Sequence, residues 1–243
     1  MYLNGSTLKE ICEHLKMDRQ ILRYNFEYDG LYVYNQNNDK YRNSSIFQTI
    51  NTEEKAYWLG LMYADGYVNE KENRIELTLK DREHIEKFKL FINAQNKIYI
   101  KKAMGHEYYR ICLRDKKMTL DLVKKGCFQN KSLNIRFPTL KIVPEYLQKH
   151  FIRGYFDGDG CLCYSTYGLS VQIISTKEFL NKLTTVANLK RNKYSRCGQA
   201  YQWQNSSQPV VNRFLNYIYK DAKIYLDRKY NKYLQYAVLD RDI

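Results

Sequence analysis

The sequence predicts an α+β protein built from two αββαββα repeats related by a pseudo-twofold axis, with a small helical module in front of them. Three observations carry that prediction. Two apolar helical stretches, one through Tyr57 and one through Phe151, end on the same Asp-Gly pair. Gly60 and Gly154, like Asp65 and Asp159, stand at one common offset (154 − 60 = 159 − 65 = 94). After each helix comes a strand of strict apolar–polar alternation, then a helix and a pair of short strands. Internal duplication of this kind implies two copies of one unit packed about an approximate twofold.

In chain order, Thr7 and Glu10 stand in capping-box relation, and Leu8, Ile11 and Leu15 then fall on one helical face. Lys16-Met17-Asp18 breaks that helix, and Asp18 is placed to cap a second one through Ile21 and Leu22. Residues 1–33 thus fit a helix-turn-helix-like DNA-binding module, although a plain helical hairpin packed on the main domain has the same pattern. Residues 34–49 are polar and Asn-rich and read as a linker. The first repeat occupies 50–142 and the second 143–243.

Asn51 and Glu54 suggest a capping box at the start of the first repeat helix, and Pro144 suits the opening of the second. In Arg74 to Lys80, Ile75, Leu77 and Leu79 alternate with Arg74, Glu76, Thr78 and Lys80. In the second copy Leu169, Val171 and Ile173 alternate with Ser170 and Gln172. Each is a half-buried strand. Helices over 81–91 and 176–187 follow, and then strand pairs at 97–101 with 108–114 and at 193–197 with 200–204.

The charge balance narrows the partner. Forty Lys and Arg against 26 Asp and Glu give +14 over 243 residues, which favours a polyanion, and nucleic acid above all. No Lys/Arg-rich amphipathic helix points to a membrane surface, and no apolar run is long enough to span one. The six cysteines follow no charged-then-apolar leader, so they are expected to be reduced thiols in a cytosolic or organellar-matrix compartment. Cys161 and Cys163 lack a second pair or histidines at zinc spacing. The many Lys, Asn and Tyr codons suit an AT-rich phage, bacterial or organelle genome.

Helical spacing puts Ala56, Gly60 and Ala64 on one stripe and Gly154 and Gly158 on its counterpart. Small residues four apart let two helix backbones approach closely. Packing through these stripes at Gly60 and Gly154 would bring Asp65 and Asp159 together at two helix C-termini. Two carboxylates there repel each other, and the negative helix ends add to the repulsion. A hard divalent cation resolves that conflict, and Mg²⁺ also binds phosphate and activates water.

These motifs resemble those of the LAGLIDADG homing endonucleases. WLGLMYADG (58–66) and IRGYFDGDG (152–160) stand where that family has its two signature helices. GCFQNKSLNIRFP (126–138) and IYLDRKYNKY (224–233) are similar to the segments that close the two repeats, and the likeness runs from about Ile50 to Tyr236. The resemblance implies saddle-shaped antiparallel sheets laid on the major groove, and a monomer that cuts both strands of DNA and leaves short 3′ overhangs. It implies Mg²⁺ as cofactor, with Mn²⁺ able to substitute, held by Asp65 and Asp159 with the preceding Ala64 and Gly158. The first motif departs from the family at Tyr63, where the second copy keeps Asp157; that position is not the family's essential ligand. Lys131 and Lys229 (131 − 65 = 66 and 229 − 159 = 70 residues past the aspartates) match the basic positions of the closing segments. They are catalytic candidates that could stabilise the transition state, or else solvated surface lysines.

Outward strand positions are the candidate DNA contacts. In the first half these are Glu76, Thr78, Lys80, Lys97, Tyr99, Lys101, Arg110 and Arg114; in the second, Ser170, Gln172, Arg196, Gln202 and Gln204. Each can read a base or touch a phosphate. Because the two sets differ, the double-stranded target is expected to be only loosely palindromic, and no protein partner is required. Two other readings remain open: an intron maturase that binds intron RNA, and a non-catalytic DNA-binding regulator on the same scaffold.

Overall fold

The computed structural model describes residues 8–18, 21–22, 42–103, 105–165, 168–189 and 194–239. Helix α1 (Leu8–Leu15) is stopped at Lys16, which adopts φ 47, a left-handed conformation that ends a helix. Residues 21–22 are helical again, and Leu22 N donates to Asp18 O at 3.0 Å. Ile11 and Leu22 bury each other with Cys12 and Met17 in a small cluster of their own. Leu15, predicted on the same buried stripe as Ile11, is 48% exposed. Thr7 and most of the expected second helix lie outside the described residues.

Residues 42–49, assigned by composition to a linker, are packed against the first repeat. Arg42 and Phe47 are buried, Arg42 donates to Arg114 O and Asn96, and Ser44 donates to Asp115 at 2.5 Å. Phe47, edge-on to Phe91, and the half-buried Ile46 anchor a stretch whose polar composition hides them.

The two repeats then follow the expected order. The first comprises α2 (Glu53–Ala64), β1 (Gly66–Asn69), β2 (Arg74–Leu79), α3 (Arg82–Phe91), β3 (Ile98–Ala103), β4 (His106–Arg114) and α4 (Lys116–Lys124). A 3₁₀ turn at Lys131–Leu133 and another at Glu145–Leu147 lead into the second repeat. That repeat comprises α5 (Gln148–Asp159), β5 (Gly160–Ser165), β6 (Gly168–Ser175), α6 (Lys177–Val186), β7 (Ser195–Cys197), β8 (Ala200–Asn205), α7 (Gln208–Tyr219) and α8 (Asp227–Leu239). Each repeat forms a four-stranded antiparallel sheet, in orders β1-β2-β4-β3 and β5-β6-β8-β7.

Capping differs slightly from the sequence expectation. Thr52, not Asn51, caps α2 by accepting from Lys55 N at 3.3 Å, while Asn51 accepts from the Lys55 ammonium. The 3₁₀ turn after Pro144 delays the start of α5 to Gln148. Strands β1 and β5 leave each motif aspartate directly and show no alternation long enough to read in the sequence.

One core runs through both repeats. Helix α2 is apolar all round and buried from Ala56 to Tyr63, as a central helix must be. Trp58 packs on Phe88 and stacks on Phe91; in the second repeat Trp203 and Phe156 both meet Phe214 edge-on. The strict alternation of burial along β2 and β6 puts Ile75, Leu77, Leu169, Val171 and Ile173 in that core. The opposite face of each sheet is left free of it.

Candidate functional site

Glycine brings the two signature helices together. A Cβ at Gly60 would collide with the carbonyl oxygen of Phe151 and lie 2.8 Å from Tyr155 N. A Cβ at Gly154 would collide with Tyr57 O and lie 3.0 Å from Leu61 N. Backbone meets backbone at both points, so no larger residue fits, and Gly60 and Gly154 occupy the helix interface as the stripes predict. Near the C-terminal end of the crossing, a Cβ at Gly158 would meet the Ala64 methyl and lie 2.9 Å from Asp65 Oδ2. The Asp65 carboxylate therefore reaches across onto the end of the other repeat's helix.

Both aspartates feel the crowding. Burial first, and the charge of Asp159 second, push Asp65 up to about 7, against the pull of Lys229 and Lys131. Asp159 keeps an exposed edge, and the desolvation it does suffer raises its carboxyl too, while the Tyr155 hydroxyl opposes the rise. Tyr155 itself stays neutral, held up by burial and by Asp159. Sequence reasoning did not single out Tyr155; its counterpart 94 residues earlier is Leu61, so the duplication gives no hint of it.

The two closing-segment lysines are buried, which sets aside the surface-lysine reading. Lys131 donates to Gly66 O. Lys229 donates to Phe156 O at 2.5 Å, Asp157 O at 2.9 Å and Gly160 O. All three ammonium protons of Lys229 thus meet backbone carbonyls at the α5 terminus, where a cation complements the helix dipole. Burial lowers Lys229 to about 8, although Asp157 works against that shift.

Asp157, the motif position where the first repeat has Tyr63, faces away from the cleft. It is buried and accepts from Tyr57 Oη at 2.8 Å, Tyr219 Oη at 2.5 Å and Leu226 N at 2.8 Å. It ties α5 to the closing segment. Tyr63 serves the first repeat comparably by donating to Lys125 O. Arg153, fully buried one turn before Asp157, donates to Glu53 at 2.7 Å, Ile218 O at 2.8 Å and Ile224 O at 2.7 Å.

Among the described residues no cluster of three or more His, Cys, Asp or Glu side chains could hold a metal ion. The donors the site does offer are the Asp65 and Asp159 carboxylates; Ala64 and Gly158 have only backbone oxygens to give.

Strand register decides which candidate contacts share a face. Thr78 pairs with Arg110, Glu76 with Cys112, Tyr99 with Arg110 and Lys101 with Tyr108, so these point to the side away from the core. Lys80 lies over the Tyr108 ring, and Lys97 and Arg110 flank Tyr99, all at about cation–π distance. Arg114 joins them through its pairing with Arg74. In the second sheet Gln172 pairs with Gln204, Gln202 lies opposite Ile174, and Ser170 faces Cys163. Arg196 departs from the expectation. It pairs with Tyr201, whose neighbour Trp203 alternates with it across Gln202, and so it projects to the other side, near the Tyr201 ring. A three-residue edge strand was too short for its alternation to be read. Tyr67, Arg74 and Tyr108 share the outward face without having been singled out; the parity of Arg74 with Glu76 and Thr78 was the available signal.

Residues 52–125 match the family model described as a LAGLIDADG-like domain. The chain is 32% identical over 133 residues to the probable translation initiation factor IF-2 of Methanocaldococcus jannaschii, a match covering 53% of this chain and 11% of that protein. It is 29% identical over 152 residues to an uncharacterized protein of the same organism, covering 60% of this chain and 52% of the other. The chain thus spans a tenth to a half of the length of these curated relatives. Among solved structures it is similar to the LAGLIDADG meganuclease I-AabMI bound to uncleaved DNA (TM-score 0.50, 14% identity, 76% of this chain and 89% of that one). It is likewise similar to the homing endonuclease I-WcaI bound to its DNA recognition sequence (TM-score 0.51, 15% identity, 70% and 82%). The molecule has the two-repeat fold of these structures, and residues 52–125 of its first repeat are similar to a LAGLIDADG-like domain.

Proposed function

We propose that this chain is a site-specific, divalent-metal-dependent DNA endonuclease that makes a double-strand break in a long, loosely palindromic target. The observation that carries the reading is the meeting of Asp65 with the Gly158 end of the partner repeat's helix, beside Asp159. A protein with no use for this juxtaposition would gain by replacing one carboxylate, since like charges at two helix C-termini oppose each other.

The donor chemistry fits Mg²⁺. The oxygens are hard, the carboxylates number two, and Mg²⁺ characteristically binds through one or two carboxylates and completes its shell with water and substrate phosphate. Asp65 and Asp159 would hold the cation with backbone oxygens of Ala64 and Gly158, and Mn²⁺ would substitute. Bound there, the metal would supply charge neutralisation at a scissile phosphate and a water of lowered pKa. The chain's own contribution is to fix the two aspartates by helix packing and to brace each helix end with a lysine. Lys131 and Lys229 act on the chemistry through the backbone they hold, as positioning residues. Tyr155, whose hydroxyl also reaches Ser175 Oγ at 3.0 Å, would favour the charged form of the neighbouring Asp159 carboxylate. The outward sheet faces would lie along the major groove, and the N-terminal module over residues 1–33 would add contacts at one end.

The test is selection of cut molecules from a randomised duplex library, seeded with sequence flanking the gene, in Mg²⁺ and in EDTA. Metal-dependent enrichment of one long pseudo-symmetric site is expected. Retention of a site without cutting in Mg²⁺ or Mn²⁺ would overturn the nuclease reading in favour of a binding protein, and selective retention of intron RNA in a parallel arm would favour a maturase.

A further inference from the structure

The two outward sheet faces differ in chemistry more than the duplicated fold requires. Within the first sheet, Arg74, Lys101, Arg110 and Arg114 point outward, with Glu76 the one anion in those strands' outward rows. Lys80 and Lys97 extend the cationic field, since their ammonium groups lie over the outward rings of Tyr108 and Tyr99. The corresponding rows of the second sheet carry no charged side chain among the described residues. One row runs Cys161, Gln172, Gln204; the next carries Ile174, Gln202 and Ser195. Gln202 Nε2 donates to Gln204 Oε1 at 2.8 Å, so two amides stand side by side on the face. Arg196, the cation nearest in sequence, turns to the other side.

Major-groove chemistry gives these faces different readings. Guanine offers two acceptors, N7 and O6, which suit guanidinium and ammonium groups. Adenine offers an acceptor and a donor, which an amide matches in bidentate fashion, and thymine offers a methyl group to apolar contacts such as Ile174. We propose that the target is polar in composition: guanine-bearing under the first repeat, and A·T-rich under the second, where Gln172, Gln202 and Gln204 read adenines. The proposal rests on the DNA-binding reading above and goes beyond loose palindromy by assigning a base class to each half. It concerns the sheet faces; the basic run Lys190, Arg191 and Lys193 lies outside the described residues.

The same asymmetry separates how the halves use salt. A cation that touches phosphate contributes about 0.9 to the slope of log K against log salt, and a neutral amide contributes nothing.

The experiment uses the full chain in EDTA, where binding is followed without cutting. Bound duplexes are selected from a randomised library and sequenced, and the wild type is then compared with Lys101→Ala/Arg110→Ala and with Gln172→Ala/Gln204→Ala. The expected site has guanines concentrated in one half and A·T pairs in the other. The glutamine double variant should lose roughly tenfold of base discrimination, confined to the A·T-rich half, with an unchanged salt slope. The cationic double variant should lower the salt slope and act on the opposite half. Guanine spread equally over both halves, or a glutamine variant acting on the guanine-bearing half, would overturn the polarity while leaving DNA binding in place. Failure to retain any duplex would overturn the DNA-binding reading itself, and the polarity with it.

Discussion

At the scale of single residues, two glycines and one carboxyl govern the centre of the molecule. A methyl at Gly154 meets backbone atoms of Tyr57 and Leu61, which cannot swing aside as a side chain could. Gly154→Ala should therefore cost about 1–3 kcal/mol or more, as core overpacking does, read as a lowered urea midpoint at unchanged m-value. An unchanged midpoint would mean that the helices do not approach as closely as Gly60 and Gly154 allow. The Asp65 carboxyl stands at about 7 in the fold, against roughly 3.9 in the unfolded chain. Between those values the folded state keeps a proton that the unfolded state has lost. Its contribution to stability is therefore full below about pH 4 and declines as the pH rises to 7. With EDTA present, the wild type should lose urea resistance over that window relative to Asp65→Asn. Equal pH dependence in the two proteins would contradict the burial that raises Asp65.

Among the elements, α5 is tied to its surroundings by a fully buried guanidinium. Arg153 joins it to the first turn of α2 through Glu53, to the last turn of α7 through the Ile218 carbonyl, and to the stretch between α7 and α8 through the Ile224 carbonyl. Arg153→Met should destabilise by about 3–5 kcal/mol, because it leaves those carbonyls without their donor and removes the cation beside Glu53, which keeps only the Lys223 N–H. A loss below about 1 kcal/mol in thermal or urea unfolding would show that water replaces the guanidinium. Much of this architecture was legible in the chain. The 94-residue offset, the alternation at Ile75-Leu77-Leu79 and at Leu169-Val171-Ile173, and the small-residue stripes gave both repeats, both central helices and the meeting of the aspartates. What stayed hidden has local causes. Strands β1 and β7 are too short to display a period, so Tyr67 was missed and Arg196 was assigned to the wrong side. The roles of Arg153, Tyr155 and Asp157 depend on partners far along the chain, and spacing says nothing about those. The burial of Lys131 and Lys229 arises because their segments fold back under the helix ends, a tertiary event with no sequence period.

For the whole molecule, the crossing of α2 and α5 brings the Asp65 carboxylate onto the helix end that carries Asp159, and each aspartate leads directly into its own sheet. On the proposed function, that geometry would link the cutting of two strands to one chain: each half would present a face to its own half-site, and each would contribute one aspartate to the shared centre. On the same reading, the excess of +14 would supply the long-range attraction to DNA, and the sheet faces its orientation. The most direct measurement is cleavage of the selected target, with each strand separately labelled, by the wild type, Asp65→Asn and Asp159→Asn in Mg²⁺, beside their binding to the same duplex in EDTA. Each substitution is expected to abolish double-strand cleavage and to leave binding within a fewfold of wild type. Full double-strand cutting by either variant, with binding unchanged, would contradict the assignment of the paired aspartates as the cleaving centre.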